Sequence, residues 1–496
     1  MFKEVNDIVI VGGGTSAWFS AAFLARNLDV KVTLIDKEVG ASVGVGEGTL
    51  LHFDKFLKRC GYNTDEWFDE IDSTFKSGIL FPNWGKKDNM VWHPFLLNKE
   101  YRDLDSSVYE AWTHHQDRDF QSLGAFWDLS LENNVDTENL NFYASHVDAS
   151  KLVQWLQKRL EEHITIIKSE VVEVIRSDDD NILSVELKNG QVISGDLFID
   201  CTGFKQLLQS NPDRVDLTGR LFCDTAVAGH VPYNDSEAER QPYVVSEAVD
   251  HGWVWNIPVQ TRIGSGLVFN RSITDPEDAK KYFCEYWDNR ITPDNLKVID
   301  WTPYYNRNQW SGNVCAIGLS AGFIEPLEST GLATITTGIY LLAMRIRQKY
   351  FTDADINMYN AIMSAVYEDT IDFINMHYAY SDFDTPFWNW VRETHVMSKT
   401  HKWYKELIKN GERLPNEGKG HFFGGANWLC WLLQIESEIS ATKSISSETA
   451  KQILDNWQLH INTAAEKNAT VSHTEAIQNY ARYLNMSMDP SELELD

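Results

Sequence analysis

Asp7-Ile8-Val9-Ile10-Val11-Gly12-Gly13-Gly14-Thr15-Ser16-Ala17 joins an apolar, β-branched run to a glycine-rich turn. An unbroken run of Ile and Val reads as a strand buried on both faces, as in a parallel sheet. A helix is expected from about Ser16 to Ala25, with Trp18, Phe19, Ala22 and Phe23 on its apolar face. A second strand, Val30-Lys31-Val32-Thr33-Leu34-Ile35, ends at Asp36. Gly12-x-Gly14-x-x-Ala17 therefore lies between a strand and a helix, the context that gives a dinucleotide fingerprint its meaning. Gly12 permits the turn, Gly14 lets backbone approach a pyrophosphate, and Ala17 stands where helix meets sheet. Thr15 and Ser16 open the helix, whose amino terminus favours phosphate. Asp36, 24 residues after Gly12, is placed to accept hydrogen bonds from a ribose. The prediction is an α/β, Rossmann-type fold; the fingerprint alone does not separate NAD from FAD.

Working outward, Asp148 to Leu160 reads as an amphipathic helix, and 164–176 and 182–199 as hairpin strands with a turn at Lys188-Asn189-Gly190-Gln191. Leu197-Phe198-Ile199-Asp200-Cys201-Thr202-Gly203 and Asn313-Val314-Cys315-Ala316-Ile317-Gly318 are further buried strands running into turns. A helix follows from about Thr330 to Gln348. The expected organisation is a core over 1–345 and a mostly helical substrate-pocket region over 346–496. The core carries a helix-and-loop aromatic insertion at about 50–130 and a β-rich region at about 205–300. The acidic end, 489–496, is expected to fray.

The chain has 496 residues and a formal charge of −28, from 44 basic and 72 acidic side chains. That field repels phosphate backbones, which excludes nucleic-acid and anionic-membrane binding. Six cysteines show no Cys-x-x-Cys pair and no zinc-ligand spacing, so no metal site is expected. With no signal peptide and no apolar run of about 20 residues, the expectation is a cytoplasmic protein with reduced thiols. Eighteen Trp, 19 Tyr and 24 Phe suit a large aromatic-lined interior.

Trp253-Val254-Trp255-Asn256-Ile257-Pro258 separates functions that a nucleotide fold alone does not. In an extended segment the indoles at i and i+2 point the same way and form one flat apolar wall. Pro258 withholds a backbone donor and ends the strand. Taken alone, the stretch also reads as a buried edge strand with two core tryptophans. Three more stretches accompany it: Gly44-Val45-Gly46-Glu47-Gly48-Thr49; Thr74-Phe75-Lys76-Ser77-Gly78-Ile79-Leu80-Phe81-x-Asn83-Trp84; and Gly318 through Pro326-Leu327-Glu328-Ser329-Thr330-Gly331. With Asp200-Cys201-Thr202-Gly203-Phe204, these resemble the flavin-dependent halogenases, in the tryptophan-halogenase branch, over about residues 7–390. Gly48 departs from the alanine of the family segment.

The resemblance implies an FAD-monooxygenase-like fold and FAD as cofactor, used as FADH2. Gly12, Gly14, Thr15, Ser16, Ala17, Asp36, Lys37, Val45, Glu47, Val171, Gly318, Leu327 and Leu332 would contact it. Only one nucleotide fingerprint is present, so the reduced flavin is expected from a separate flavin reductase. Reduced flavin and O₂ would oxidise a chloride, bromide or iodide ion, bound at Thr330 and Gly331 where helix amides supply positive partial charge. Lys76 would direct the resulting hypohalous acid. A long amine whose pKa shifts on desolvation suits that task. Glu328 would polarise the halogenating species or take the ring proton. Trp253, Trp255, Ile257 and Pro258 would wall the tunnel between flavin and substrate.

Within Val91-Trp92-His93-Pro94-Phe95, His93 and Phe95 are the expected substrate contacts, together with Ser329. Thr385-Pro386-Phe387-Trp388 and the stretch from Phe422 to Trp431 are expected to complete the pocket. The Tyr-Tyr pair and Glu that grip an amino-acid head group in tryptophan-specific members have no counterpart placed here. The substrate is therefore expected to be a small indole-type or other electron-rich aromatic rather than free tryptophan, handled by a monomer or homodimer. An FAD-dependent aromatic hydroxylase or epoxidase is the alternative, since it shares the fingerprint but needs neither Lys76, Glu328 nor the paired indoles.

Overall fold

The first strand, Asp7–Val11, lies inside a six-stranded sheet. The order is Thr165–Lys168, Lys31–Asp36, Asp7–Val11, Leu197–Asp200, Val314–Ala316 and Trp310–Ser311. Every pair is parallel except the last. Helix Thr15–Asn27 buries Trp18, Phe19 and Phe23, and Ile8, Ile10 and Leu34 of the sheet join them in one core. On the opposite face Val9, Val11, Ile35 and Phe198 pack against Val171, Ile182 and Val185. Burial on both faces is why these strands read as continuous apolar runs. The computed structural model describes residues 3–37, 44–95, 107–124, 126–415, 422–466 and 470–487; the acidic end lies outside them.

The hairpin reading of 164–199 is corrected. Thr165–Lys168 is the edge strand of the parallel sheet, and Val171–Arg176 starts a separate antiparallel sheet with Ile182–Leu187 and Val192–Ser194. Leu197–Asp200 then returns to the parallel sheet. Apolar content is similar on either side of each crossing, so the pattern carried no break.

The second large sheet has seven strands: Lys297–Asp300, Thr225–Val231, Ile263–Phe269, Gly252–Pro258, Val244–Val249, Gly78–Pro82 and Met90–Pro94. The region 50–130 is thus not only helix and loop, since two of its strands extend this sheet. A third, Thr74–Lys76, pairs with Ala144–Val147, which also pairs with Glu47–Gly48. The strand carrying the two indoles is interior, hydrogen-bonded on both edges, and not an edge strand. Its Val254 faces the other way, into a core with Leu267 and Phe283 of helix Pro276–Tyr286. The strand does end at Pro258, in a tight turn closed by the Val259 amide on the Arg262 carbonyl.

Beyond Gly331–Ile346 the chain is largely helical, including Asp353–His377, Pro386–Thr394, Lys399–Lys409, Gly425–Ile435 and Ser447–Glu466. Two short strands tie this region back to the core: Tyr350–Phe351 pairs with Lys3–Glu4, and Thr470–Ser472 with Asn134–Asp136. The six cysteines are buried and free. Among the described residues no helix is long and apolar enough to cross a membrane.

Candidate active site

The glycine turn divides into jammed and open positions. A Cβ on Gly12 would lie 2.2 Å from the Cys201 carbonyl oxygen, and one on Gly13 2.1 Å from the Asp36 carboxylate. Gly12 also has φ 142°, in the region that favours glycine. Gly14, by contrast, has nothing within 4 Å of its Cβ position and caps helix Thr15–Asn27 with extended backbone and no side-chain cap. The helix amides therefore open onto free space, the arrangement that receives phosphate.

Gly318, at φ 72°, packs on Ser16, where a Cβ would lie 2.7 Å from the serine Cβ. This turn is also held to the turn after Leu197–Asp200 by Asp200, which accepts hydrogen bonds from the Thr202 hydroxyl and the Ser320 hydroxyl at 2.7 and 2.9 Å. Val171, Leu327 and Leu332 are buried in apolar core, and Lys37 lies at the surface 4.0 Å from Glu170. Glu47 is partly accessible, yet burial of its carboxyl pushes it up to about 7. This open-floored cradle, an acid at the strand end beside it, and a second glycine turn against it fit a dinucleotide flavin.

Lys76 is fully buried at the end of Thr74–Lys76. Its Nζ donates to the Thr49 carbonyl at 3.0 Å and lies 5.1 Å from the centre of the Phe95 ring. Burial pushes the amine down to about 7, opposed by the nearby Glu328 carboxylate. Thr74 and His146 stand opposite each other in register, as do Lys76 and Ala144. Directly opposed residues share a face, so Lys76, Thr74 and His146 lie on one side of the small sheet. The Thr74 hydroxyl donates to the Pro258 carbonyl at 2.6 Å, tying the lysine strand to the end of the indole strand.

Glu328 is 2% exposed, in the short turn Pro326–Glu328. It accepts from His93 Nδ1 at 2.9 Å, His377 Nε2 at 2.6 Å and Trp431 Nε1 at 3.2 Å. Burial raises this carboxyl, but the two imidazoles outweigh burial and hold it below the usual carboxylate range. Ser329 follows in the left-handed region at φ 58°, and Thr330, not Ser329, caps helix Gly331–Ile346. Gly331 has nothing within 4 Å of its Cβ position, so the amides that open this helix face space.

Trp253, Trp255 and Ile257 project from the same face of their strand. The wall is not flat: the indoles lie 6.1 Å apart with their planes tilted by 57°. Each is shaped by a different neighbour. Trp253 Nε1 donates to buried Glu325 at 3.2 Å, whereas Trp255 lies over Gly266, whose Cβ would sit 2.2 Å from the indole ring. The segment before Gly48 packs along this wall. The Val45 carbonyl meets Gly264, and Gly46 sits against Ile257.

The structure brings Lys76, Phe95, Glu328, Ser329 and His93 into one buried neighbourhood. His93 is committed at both nitrogens, to Glu328 and to Asn427 Nδ2 at 3.0 Å. Trp388 does not join them. Its indole donates to the Val249 carbonyl and packs on Trp84 and Tyr378 as a core post. Sequence reasoning missed His377, which ends a 25-residue helix, and Glu325, three residues before Glu328. It also missed Thr49 as the partner of Lys76, although Thr49 closes the quoted segment 44–49. His377 had no local signal, because its partner lies 49 residues away.

Residues 7–448 match the family model described as tryptophan halogenase. Tryptophan 6-halogenase ThaL of Streptomyces albogriseolus is 31% identical over 465 residues, covering 86% of each chain. A tryptophan halogenase from Shewanella frigidimarina superposes with a TM-score of 0.87 at 26% identity, covering 97% of this chain and 98% of that one. A flavin-dependent halogenase from Xanthomonas campestris gives 0.86 at 25% identity, with 96% and 99% covered. A match spanning nearly the whole chain accords with a glycine cradle, a buried amine and an anchored carboxylate in one fold: the chain belongs to the tryptophan halogenase family and is a flavin-dependent halogenase.

Proposed function

We propose that this halogenase places an electrophilic halogen on one carbon of an indole-type aromatic without an amino-acid head group, with Lys76 and Glu328 directing the transfer. The observation that carries the reading is the buried Lys76 amine, lowered to about 7 and close enough to Glu328 to feel its charge. At neutral pH about half of such an amine is free as a nucleophile, where an ordinary lysine is protonated.

The flavin, held by the Gly12–Gly14 turn and the Gly318 turn, supplies the oxidation of halide when bound. Gly331 and its neighbouring helix amides favour the anion against a net charge of −28. The unprotonated Lys76 amine takes the halogen from hypohalous acid, forming an N–halogen bond and releasing water. The ring then attacks that halogen, and the amine recovers its proton. Glu328, ionised and anchored by N–H donors, stabilises the positive charge that develops on the ring. A carboxylate held this low is a poor base, which favours the electrostatic role over proton removal. Phe95 stacks against the delivered group, and His93 positions Glu328. Trp253 and Trp255 keep the aromatic away from the flavin. Reduced flavin comes from a separate reductase, in keeping with the single nucleotide fingerprint.

The test is a product assay with reduced FAD, O₂ and bromide, comparing indole with free tryptophan. Brominated indole formed faster than bromotryptophan is the expected result. Faster tryptophan turnover removes the substrate reading. Hydroxylated product with no dependence on bromide removes the halogen-transfer mechanism.

A further inference from the structure

Gly48 is the one departure from the family segment at 44–49, and it lies where the reacting groups meet. Its strand places it opposite His146, which in turn stands opposite Thr74, so its missing side chain falls on the Lys76 face. A Cβ there would lie 2.8 Å from Ser329 Oγ, 3.1 Å from Lys76 Nζ and 3.1 Å from Val244 Cγ2. Backbone conformation does not demand glycine at this position. Gly46, two residues earlier, has φ 87°, but Gly48 is not among the residues with positive φ. What glycine provides is space, and that space is taken by the amine and the hydroxyl.

We propose that Gly48 is a specificity-determining residue: by omitting a methyl group it sets the position of the Lys76 amine relative to Ser329, and so the ring carbon that receives the halogen. The proposal rests on the directing role of Lys76 given above. Lys76 Nζ is held by the carbonyl of Thr49, the next residue along the same strand end. A methyl on residue 48 therefore crowds the amine away from the position in which that bond holds it. Ser329 can turn its hydroxyl away, and the Lys76 amine gives by a few tenths of an ångström at its chain end. Neighbouring ring carbons are only one bond length apart, so displacing the amine by a few tenths of an ångström is a sizeable fraction of their spacing and shifts the balance between them.

The experiment compares the parent with Gly48→Ala, using indole as probe with reduced FAD, O₂ and bromide. The expected result is a ratio of ring isomers changed at least fivefold, with FAD binding held within twofold. A second readout needs no flavin: acetic anhydride labelling of Lys76 across pH, followed by mass spectrometry. Its midpoint should fall by about one pH unit, because the methyl weakens the Thr49 hydrogen bond to the ammonium and excludes water. If Gly48→Ala does not fold, Gly48→Ala with Ser329→Gly removes the 2.8 Å contact, suits the left-handed residue and retains the crowding of Lys76. An unchanged isomer ratio and labelling midpoint in a folded, flavin-binding variant overturn the proposal alone. A parent that brominates no aromatic overturns the functional reading and this proposal together.

Discussion

His377 Nε2 and Glu328 Oε1 lie 2.6 Å apart with no solvent at the histidine, and His377 Nδ1 faces the Phe373 carbonyl at 2.8 Å. A carbonyl only accepts, so Nδ1 carries hydrogen. A carboxylate also only accepts, so the short contact requires a proton between ring and carboxyl. Burial leaves the His377 ring below its ordinary value, against the upward pull of its two acceptors. The two residues act as a unit that keeps Glu328 from being a bare charge in an apolar site.

Replacing His377 by Phe keeps an aromatic ring but removes the donor. Glu328 then loses a hydrogen bond to its charged form, and its pKa rises. The expected outcome is a fall in kcat of about tenfold to a hundredfold, consistent with the ~1–3 kcal/mol at stake when a buried partner is removed. The acid limb of the pH–rate profile should move to higher pH. FAD affinity unchanged beside an unmoved acid limb would show that His377 serves packing alone.

Lys76→Met should abolish halogenation and stabilise the fold. The unfolded chain binds the lysine proton below 10.5 and the native chain only below about 7. The unfolded state thus holds more protons between those values, and native stability rises with pH across that window. In the Met variant this contribution disappears. Urea denaturation at pH 7 and pH 10 should show the variant more stable than the parent at pH 7, with the gap shrinking at pH 10. A constant gap would mean that Lys76 is not desolvated.

Glu325 receives hydrogen bonds from Trp253 Nε1, the Phe222 amide and the Tyr378 hydroxyl, yet burial lifts its carboxyl to about 6. A raised carboxyl pKa means that the native state keeps its proton longer than the unfolded state does, so ionisation lowers stability as pH rises from 4.5 to about 6. Glu325→Gln should therefore gain relative to the parent over that interval and level off above it. The difference in unfolding free energy at pH 4.5 and pH 7 measures this, with a shift of this size worth about 2 kcal/mol at most.

Gly266→Ala sets a methyl against the Trp255 ring, an overpacking that costs about 1–3 kcal/mol of stability. Because the indole must tilt or retreat, the barrier proposed for it between flavin and substrate should loosen. More hypohalous acid should escape to an added scavenger per aromatic product formed, with FAD binding unchanged. Equal escape in parent and variant would separate Trp255 from confinement.

Much of the site was legible because its chemistry sits on local words. Gly12, Gly14 and Ala17 bracket one turn. Lys76 lies among apolar neighbours, and Glu328 precedes a helix start. The partners of those groups were not legible. His377 and Trp431 reach Glu328 from 49 and 103 residues away, and Thr49 reaches Lys76 from 27. Hydrogen bonds across such separations leave no periodicity to read.

The order of residues by itself determined the strand–glycine turn–helix start and the α/β class, and it singled out the amine, carboxylate and paired indoles as candidates, because backbone propensity and side-chain chemistry act over a few neighbouring positions. Tertiary structure alone decided that the indoles tilt instead of lying flat, that their strand is interior, that Trp388 is a core post, and that Glu328 is held by histidine. Those outcomes depend on which distant surfaces pack together, and packing at solid-like density lets one missing methyl at Gly48 or Gly266 decide where a ring or an amine comes to rest.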